Sequence, residues 1–289
     1  MIITFAVELT MRLKSVKLNG MTDHERTPFS SSKEVLSPQE IEPGIILPRH
    51  LVIIPDGDRR WAMKRGLPAL EGHRQGAKTA ERLIRACRDW GIQTLTLWGM
   101  STDNVDKRSP QEVNALMGIF ENLFTDRKIV AEAMEEEVRI RHIGRRDRIA
   151  ALQPSLLKAI KEIEEKTREN RKYNLVIALD YGGRDELIRA FKDIAQGIKD
   201  GLIEPTEIDE KLVSLHLDTA GLPDPDLIVR TSGEQRTSGI LIFQGALSEL
   251  HFYDSSVNFP DLTPELLRDA LLDFGKRERR FGGDAKKKK

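Results

Sequence analysis

The stretch HLVIIPDGDRRW, His50 to Trp61, decides how the rest of the chain reads. Leu51 to Ile54 is a short continuous apolar run, the pattern of a strand buried on both faces. It stops at Pro55 and opens into Asp56-Gly57-Asp58-Arg59-Arg60, after which Trp61-Ala62-Met63-Lys64 begins a helical pattern. A parallel strand that breaks at a glycine and turns into a helix suits a phosphoryl ligand. The helix N-terminus offers unpaired N–H groups, and the glycine lets an anion approach the backbone. Two carboxylates and two guanidiniums crowd this turn. That set fits a magnesium diphosphate, with acid for the metal and Arg plus backbone N–H for the phosphoryl oxygens. Taken alone, the same residues also read as a solvated charged turn.

Outward from this stretch, apolar runs and helical periods alternate. Lys78 to Trp90 predicts a helix with Ala80, Leu83, Ile84 and Cys87 on one face, closed by Gly91. Thr94 to Trp98 predicts a strand, and Pro110 to about Glu137 one long helix carrying Val113, Leu116, Met117, Phe120 and Phe124. Val138 to Ile143 predicts a strand and Arg148 to Glu169 a helix. Leu175 to Leu179 predicts a strand ending in Asp180-Tyr181-Gly182-Gly183, with helices over Asp185–Ile198 and Glu207–Asp218. Leu227–Val229, Ile240–Phe243 and Leu250–Phe252 predict strands, and Pro264–Arg279 the last helix. Strands separated by helices imply right-handed crossovers. The expected architecture is a single α/β domain, its parallel-stranded central sheet flanked by helices.

Composition bounds the function. The 289 residues balance 46 basic against 46 acidic side chains, which gives no basic surface for nucleic acid. The single cysteine, Cys87, excludes an internal disulfide framework and fits a reducing compartment. No apolar run reaches the roughly 18 residues a membrane span needs. MIITFAVELTM at the start lacks the basic opening and cleavage site of a signal peptide, so a cytoplasmic protein is expected. Residues 1–47 read as an extension, disordered or loosely packed, because His24 to Pro48 is rich in Ser, Pro and Glu without a period. The folded body is expected over 48–284, with a basic tail at 285–289.

Ligands of parallel sheets bind beyond the carboxyl ends of the strands. Chemically useful residues gather there. Asp56 to Arg60 follow the first strand, and Gly99-Met100-Ser101-Thr102-Asp103-Asn104 the second. Arg230-Thr231-Ser232-Gly233-Glu234 follow Leu227–Val229, with Arg236 and Ser238 close behind. Gly72-His73-Arg74 opens the helix after the first loop, and Glu249 precedes the last short strand.

These residues resemble, in order, the cis-prenyltransferases, the isoprenyl transferases typified by undecaprenyl diphosphate synthase. The resemblance rests on His50 to Trp61, Gly72-His73, Ser101 to Asn104, Tyr181-Gly182-Gly183-Arg184, Ile228 to Thr231, Glu234 to Ser238 and Arg277 to Gly283. It covers about residues 50–283. It implies a Mg²⁺-dependent homodimer that condenses isopentenyl diphosphate onto an allylic diphosphate such as farnesyl diphosphate, with Z double bonds in the product. It further implies a hydrophobic product tunnel and a lipid carrier for cell-envelope glycan synthesis. By the family's pattern Asp56 assists departure of the allylic diphosphate, and Glu249 is the second metal ligand. Gly57, Asp58, Arg59, Arg60, Trp61 and His73 match the allylic cradle, and Arg230, Arg236, Thr237 and Ser238 the isopentenyl diphosphate site. Ser101, Thr102, Asp103 and Lys107 fall on the substrate loop, with Asn104 at the position of a proton acceptor. A tunnel would run along the long helix past Leu116, Phe120 and Phe124, whose spacing also reads as ordinary core.

Several positions depart from the commoner bacterial pattern. Asp58 and Arg59 replace an Asn and a Gly, and Ala69 stands where an Arg often grips diphosphate, so Arg59 or Arg65 would compensate. Met100 and Val105 replace a Phe and a Trp, Lys107 replaces an Arg with an extra residue nearby, and Gln235 replaces a His. The lack of an insertion in Arg148–Glu169 implies a medium product chain. Two alternatives stand beside this one. A non-catalytic partner subunit of a prenyltransferase dimer would share most of the pattern. A phosphatase of the haloacid-dehalogenase type shares a strand followed by Asp56-Gly57-Asp58. His142, His216 and His251 have no partner at metal-ligand spacing, and Cys87 reads as inert packing. Lys286–Lys289 offers a peripheral contact to an anionic membrane and reads equally as solvated charge.

Overall fold

Side chains alternate across a strand, so a run such as Leu51-Val52-Ile53-Ile54 must find apolar cover on both faces. It does. Leu51 and Ile53 join one buried cluster, with Leu83 and Cys87 on one side and Leu267 and Phe274 on another. Val52 and Ile54 join a second cluster across the sheet, with Trp98, Val176, Tyr181 and Ile228. The computed structural model describes residue 41 and residues 44–278.

Six strands form one sheet among the described residues: β1 His50–Ile54, β2 Thr94–Ser101, β3 Val138–Ile143, β4 Tyr173–Tyr181, β5 Leu227–Arg230 and β6 Glu249–Phe252. Their order is β3-β4-β2-β1-β5-β6, and every neighbouring pair is parallel. The helices are α1 Asp58–Lys64, α2 Ala69–Asp89, α3 Thr102–Lys107, α4 Pro110–Thr125 and α5 Arg127–Glu135. They continue as α6 Arg146–Leu152, α7 Pro154–Lys166, α8 Gly183–Lys199, α9 Glu210–Leu215 and α10 Pro264–Lys276. From β1 the chain moves to β2 on one side, whereas β5 leads to β6 on the other. The switch point therefore lies between β1 and β5, where a doubly wound sheet opens a crevice.

Four expected elements change. The long helix 110–137 is two helices, because Asp126 leaves the helical conformation and caps α5 through Lys128 and Ile129 N–H at 2.8 and 3.1 Å. The helix 148–169 also divides, at Gln153, since the residue before Pro154 is pushed away from helical angles. Ile240–Phe243 is no strand. It coils through turns, with Ser238, Gly239 and Leu241 at positive φ, and still buries Ile240 and Leu241 beneath the sheet. An apolar run reports burial, and turns can bury it as well as a strand. The helix expected at Glu207–Asp218 is shortened to α9 behind a single 3-10 turn at Pro205–Glu207.

Ile41 and Leu47 pack against the core, and the chain passes so close to α10 that a Cβ at Gly275 would lie 2.8 Å from the Ile46 carbonyl oxygen. The remainder of the expected arm, the Arg279–Gly283 part of the family resemblance and the tail 285–289 lie outside the described residues. No described helix is long and apolar enough to cross a membrane. Cys87 is buried, and desolvation pushes its thiol up.

Two buried histidines give the fold an acid limit. His50 opens β1 with its ring nitrogens 2.8 Å from the Pro223 carbonyl and 2.8 Å from Thr96 Oγ1. His142 on β3 contacts the Leu179 carbonyl at 3.1 Å. Burial holds both imidazoles down at about 4, against 6.5 in the open chain. Between these values the unfolded chain takes up protons that the folded chain refuses, so stability present above pH 6.5 is lost as pH falls toward 4. Each histidine contributes on the order of 3 kcal/mol to that slope. Urea unfolding of wild type and His142→Gln at pH 7 and pH 4.5 should show the smaller acid loss in the variant. Equal losses would remove His142 from the account.

Candidate active site

The last ladder pair at the switch point is Ile54 with Arg230. One residue further on, the two strand ends are stitched together. Asp56 N–H donates to Thr231 Oγ1 at 3.0 Å, and the Thr231 hydroxyl donates to the Asp56 carbonyl at 2.8 Å. The Asp56 carboxylate is thereby held between two guanidiniums, accepting from Arg60 and from Arg230, each at 2.8 Å. Arg230 is almost fully buried, and it also donates to Ser238 Oγ at 2.7 Å and to the Arg236 carbonyl at 2.5 Å. Arg60 reaches the Ser232 carbonyl and Glu234 at 3.2 and 3.3 Å. Gly57 makes the turn between strand and helix at φ +102°, and a Cβ there would sit 2.5 Å from Asn258 Oδ1. Only glycine fits.

A second chain of charges lies behind the first. His73 places Nδ1 3.1 Å from Asp58 and Nε2 3.3 Å from Glu112, and Glu112 pairs with Arg108 at 3.4 Å. The start of α2 presses onto α1 through glycines. A Cβ at Gly72 would lie 2.1 Å from the Asp58 carbonyl oxygen, and one at Gly76 2.9 Å from Asp58 Oδ1. That oxygen is buried and accepts no hydrogen bond. Trp61 donates to Asp261 at 2.7 Å, and the Arg65 guanidinium lies 4.1 Å from the Trp61 ring centroid.

On the substrate loop Ser101 caps α3, accepting from Asn104 N–H at 3.0 Å, while Asn104 Oδ1 accepts from Ser101 N–H at 3.3 Å. Asn104 is thus bonded within its own loop, with its amide oxygen already engaged. Lys107 stands differently from its expected place. It is exposed on the outer face of α3, paired with Asp103 at 2.6 Å. Arg108 follows in an extended conformation and turns inward, where burial, outweighing the attraction of Glu112, lowers its pKa.

These groups surround a cavity of about 1290 Å³. Its polar end is lined by Asp56, Asp58, His73, Arg74, Ser101 to Asn104, Arg108, Arg184, Arg230 and Ser238. Its other end is apolar, lined by Leu97, Ile177 and one face of α4, Leu116, Ile119, Phe120 and Leu123, at helical spacing. Of the residues expected along the apolar path, Leu116 and Phe120 line it and Phe124 is core. Trp61 also lines the cavity, whereas Arg59 and Arg236 are exposed and Arg236 pairs with Glu234. Thr237 and Gln235 lie in the turns beside Ser238. Sequence reasoning missed Arg108 and Glu112, and it quoted Arg74 and Arg184 without giving either a role in the site. The Ser109-Pro110 helix start, directly after Arg108, was the available signal that this cation closes the loop.

Glu249 is not brought to Asp56 within this chain. The β5–β6 register pairs Glu249 with Leu227, at the amino ends of the strands, and Glu249 accepts from Arg277 at 2.9 Å. Asp56 lies beyond the carboxyl ends.

With this geometry in place the comparisons are decisive. Residues 54–282 match the Prenyltransf family, described as undecaprenyl diphosphate synthase. The chain belongs to this family of prenyltransferases. It is 45% identical over 236 residues to an isoprenyl transferase of Brucella abortus biovar 1 (strain 9-941), covering 82% of this chain and 90% of that one. It is 41% identical over 237 residues to a tritrans,polycis-undecaprenyl-diphosphate synthase (geranylgeranyl-diphosphate specific) of Pyrococcus abyssi (strain GE5 / Orsay), covering 82% and 88%. Among solved structures it resembles lavandulyl diphosphate synthase from Lavandula x intermedia in complex with dimethylallyl diphosphate. That match has a TM-score of 0.76 and 34% identity, and covers 82% of this chain and 98% of that one. The reaction is prenyl transfer, and the enzyme is a transferase of alkyl groups.

The prenyltransferase has no ready-made metal cage: no group of three or more His, Cys, Asp or Glu able to hold an ion occurs among the described residues. Asp56 offers a carboxylate at the polar end, held directly by the Arg60 and Arg230 guanidiniums. Mg²⁺ is commonly held by one or two carboxylates together with substrate phosphates and water, so this donor set fits a metal that arrives with a diphosphate.

Proposed function

We propose that this prenyltransferase condenses isopentenyl diphosphate onto an allylic diphosphate, farnesyl or similar, giving a Z-polyprenyl diphosphate that serves as a lipid carrier for cell-envelope glycans. The observation that carries this reading is one cavity with a cationic end at the switch point and an apolar arm along α4. Ionising an allylic C–O bond puts negative charge on the departing diphosphate. Arg74 and Arg108 line the polar end and Arg60 flanks Asp56, so fixed cations are on hand to balance that charge, and they stabilise it more in the transition state than in the ground state. Gly57 to Trp61 and His73 form the allylic cradle, with Arg108 and Arg74 supplying cations that Ala69 cannot. Arg230, Arg236, Thr237 and Ser238 hold the isopentenyl diphosphate on the neighbouring side of Asp56. Mg²⁺, when bound through Asp56, supplies further neutralisation of the leaving group. In surroundings that exclude water the carbocation forms a C–C bond to the isopentenyl double bond, and the new cation so formed passes its proton to the departed diphosphate. Asn104, its oxygen held by Ser101, orders the loop at that step.

The apolar arm serves as the product tunnel. A smaller apolar space of about 70 Å³ shares Leu123 and Ile129 with it and extends toward Ile92 and Leu95. A homodimer is supported by the exposed apolar side chains Ile188 and Phe191 on α8 and Leu250 on edge strand β6. The site is assigned to the cytoplasm, where a lipid product calls for peripheral contact with the membrane surface. Relatives differ in the allylic diphosphate their names carry, geranylgeranyl in one and dimethylallyl in another. The deciding experiment incubates the enzyme with labelled isopentenyl diphosphate and each allylic diphosphate, with and without Mg²⁺, and separates products by length. Metal-dependent elongation to a medium chain is expected. No elongation with any of them would overturn the reading in favour of a non-catalytic subunit.

Gly99 offers a test of the tunnel. A Cβ there would sit 2.3 Å from Phe120 Cζ and 2.7 Å from Leu179 Cδ2. Phe120 must yield, and the free space beside it is the apolar arm. Gly99→Ala is therefore expected to shift products toward shorter chains while retaining turnover, as chromatography of labelled products would show. An unchanged distribution would place the growing chain elsewhere.

A further inference from the structure

Arg148 has no part in the family resemblance and does not line the cavity, yet it joins three separated segments. From α6 its Nε donates to Asp180 Oδ2 at 2.6 Å, and its Nη2 bonds the other Asp180 oxygen. Nη2 also donates to the Thr102 carbonyl at 3.2 Å, and Nη1 donates to Asp106 at 2.5 Å. Thr102 and Asp106 belong to α3, the short helix that carries Asn104.

The backbone is shaped for this contact. Near the cavity the β2–β4 register slips, Met100 pairing with Leu179 and Ser101 with Tyr181, so Asp180 is an extra residue on its strand. Asp180 has φ +51°, a left-handed conformation that costs energy for a residue other than glycine. A bulge re-aims a side chain, and here it points a fully buried carboxylate at Arg148. Gly144 admits the arrangement, since a Cβ there would lie 2.1 Å from the Leu179 carbonyl oxygen. Thr102 also closes onto Gly182, where a Cβ would meet Thr102 Oγ1 at 2.7 Å. A six-residue helix has little stability of its own, so its placement must come from such tertiary bonds.

We propose that Arg148 is a positioning residue for prenyl transfer: it clamps α3 to the carboxyl end of β4 and so holds Ser101 to Asn104 in place over the cavity. The inference rests on the assignment of that loop to the site. It acts on the chemical step, because a misplaced loop wastes the orientation of bound substrates.

Steady-state kinetics with isopentenyl and farnesyl diphosphates, on the full chain, test it. The double variant Arg148→Met/Asp180→Asn removes the clamp without stranding the buried Asp180 charge. Arg148→Lys keeps that charge balanced but cannot reach all three segments. Thermal melting checks that each is folded. The expected result is a kcat lower by about 10-fold or more in either folded variant, with KM for farnesyl diphosphate changed by less than about 3-fold. Combined with Asn104→Ala, loss of the clamp should cost less than it does alone, because both changes act on one loop. Wild-type kcat in a folded variant, or strict additivity with Asn104→Ala, overturns the clamp. Wild-type kcat in Asn104→Ala itself instead refutes the loop's place in the site, and the clamp with it.

Discussion

Replacing Asp56 with alanine is expected to lower kcat by about 10³-fold while the protein stays folded. Among the described residues, Asp56 is the one carboxylate at the polar end of the cavity that two guanidiniums, those of Arg60 and Arg230, grip at 2.8 Å. Its removal takes away the proposed oxygen ligand for a diphosphate-borne metal and also frees both guanidiniums to reorient. Ground-state binding of an anionic substrate should survive, because the cations remain. The loss therefore falls on kcat, with KM for the allylic diphosphate unchanged or lower. Asp56 is about one quarter exposed, and its backbone bonds to Thr231 do not use the side chain, so the fold is retained. Single-turnover kinetics with excess Mg²⁺ would separate chemistry from product release. Near-normal single-turnover rates in Asp56→Ala would remove the first loop from the chemistry.

The second large effect concerns Arg230. Its side chain is 7% exposed, and its guanidinium makes three bonds at once, to Asp56, Ser238 and the Arg236 carbonyl. A lysine ammonium is a point charge and cannot reproduce that fork. Arg230→Lys is expected to lower kcat/KM for isopentenyl diphosphate by about 10²-fold, since bonds to a charged group are worth roughly 1.5–3 kcal/mol each. Arg230→Met should add a stability loss of about 1–3 kcal/mol, from leaving the Ser238 hydroxyl and the Arg236 carbonyl without their donor. The pair of variants divides the role: kinetics of the lysine form report binding, and urea unfolding of the methionine form reports the fold. An Arg230→Lys enzyme with ordinary kcat/KM for isopentenyl diphosphate would contradict its place in that site.

Much of the architecture was legible because parallel α/β folding writes itself into local pattern. Leu51 to Ile54 needed cover on both faces, and that alone placed β1 inside a sheet. The loop chemistry at Asp56 to Arg60 and at Arg230 was visible for the same reason, since each follows a recognisable strand. The errors fell where local pattern is degenerate. An apolar run such as Ile240–Phe243 looks the same whether a strand or a string of turns buries it. A helix that continues in amphipathic phase past Asp126 or Gln153 hides its own break. Lys107 and Arg108 are adjacent cations, and only the extended conformation at Arg108 decides which one turns inward.

The sequence by itself determined the family, the parallel sheet and the two loops that meet at the switch point, because strand and turn signals act over a few residues. It could not place Glu249, whose distance from Asp56 follows from the β5–β6 register rather than from any local motif. Nor could it show the Asp58–His73–Glu112–Arg108 chain or the grip of Arg148 on α3. Those arrangements join residues far apart along the chain and exist only once the sheet has set the positions of its loops. Side-chain orientation at that distance is a property of packing, and packing is decided by the whole fold.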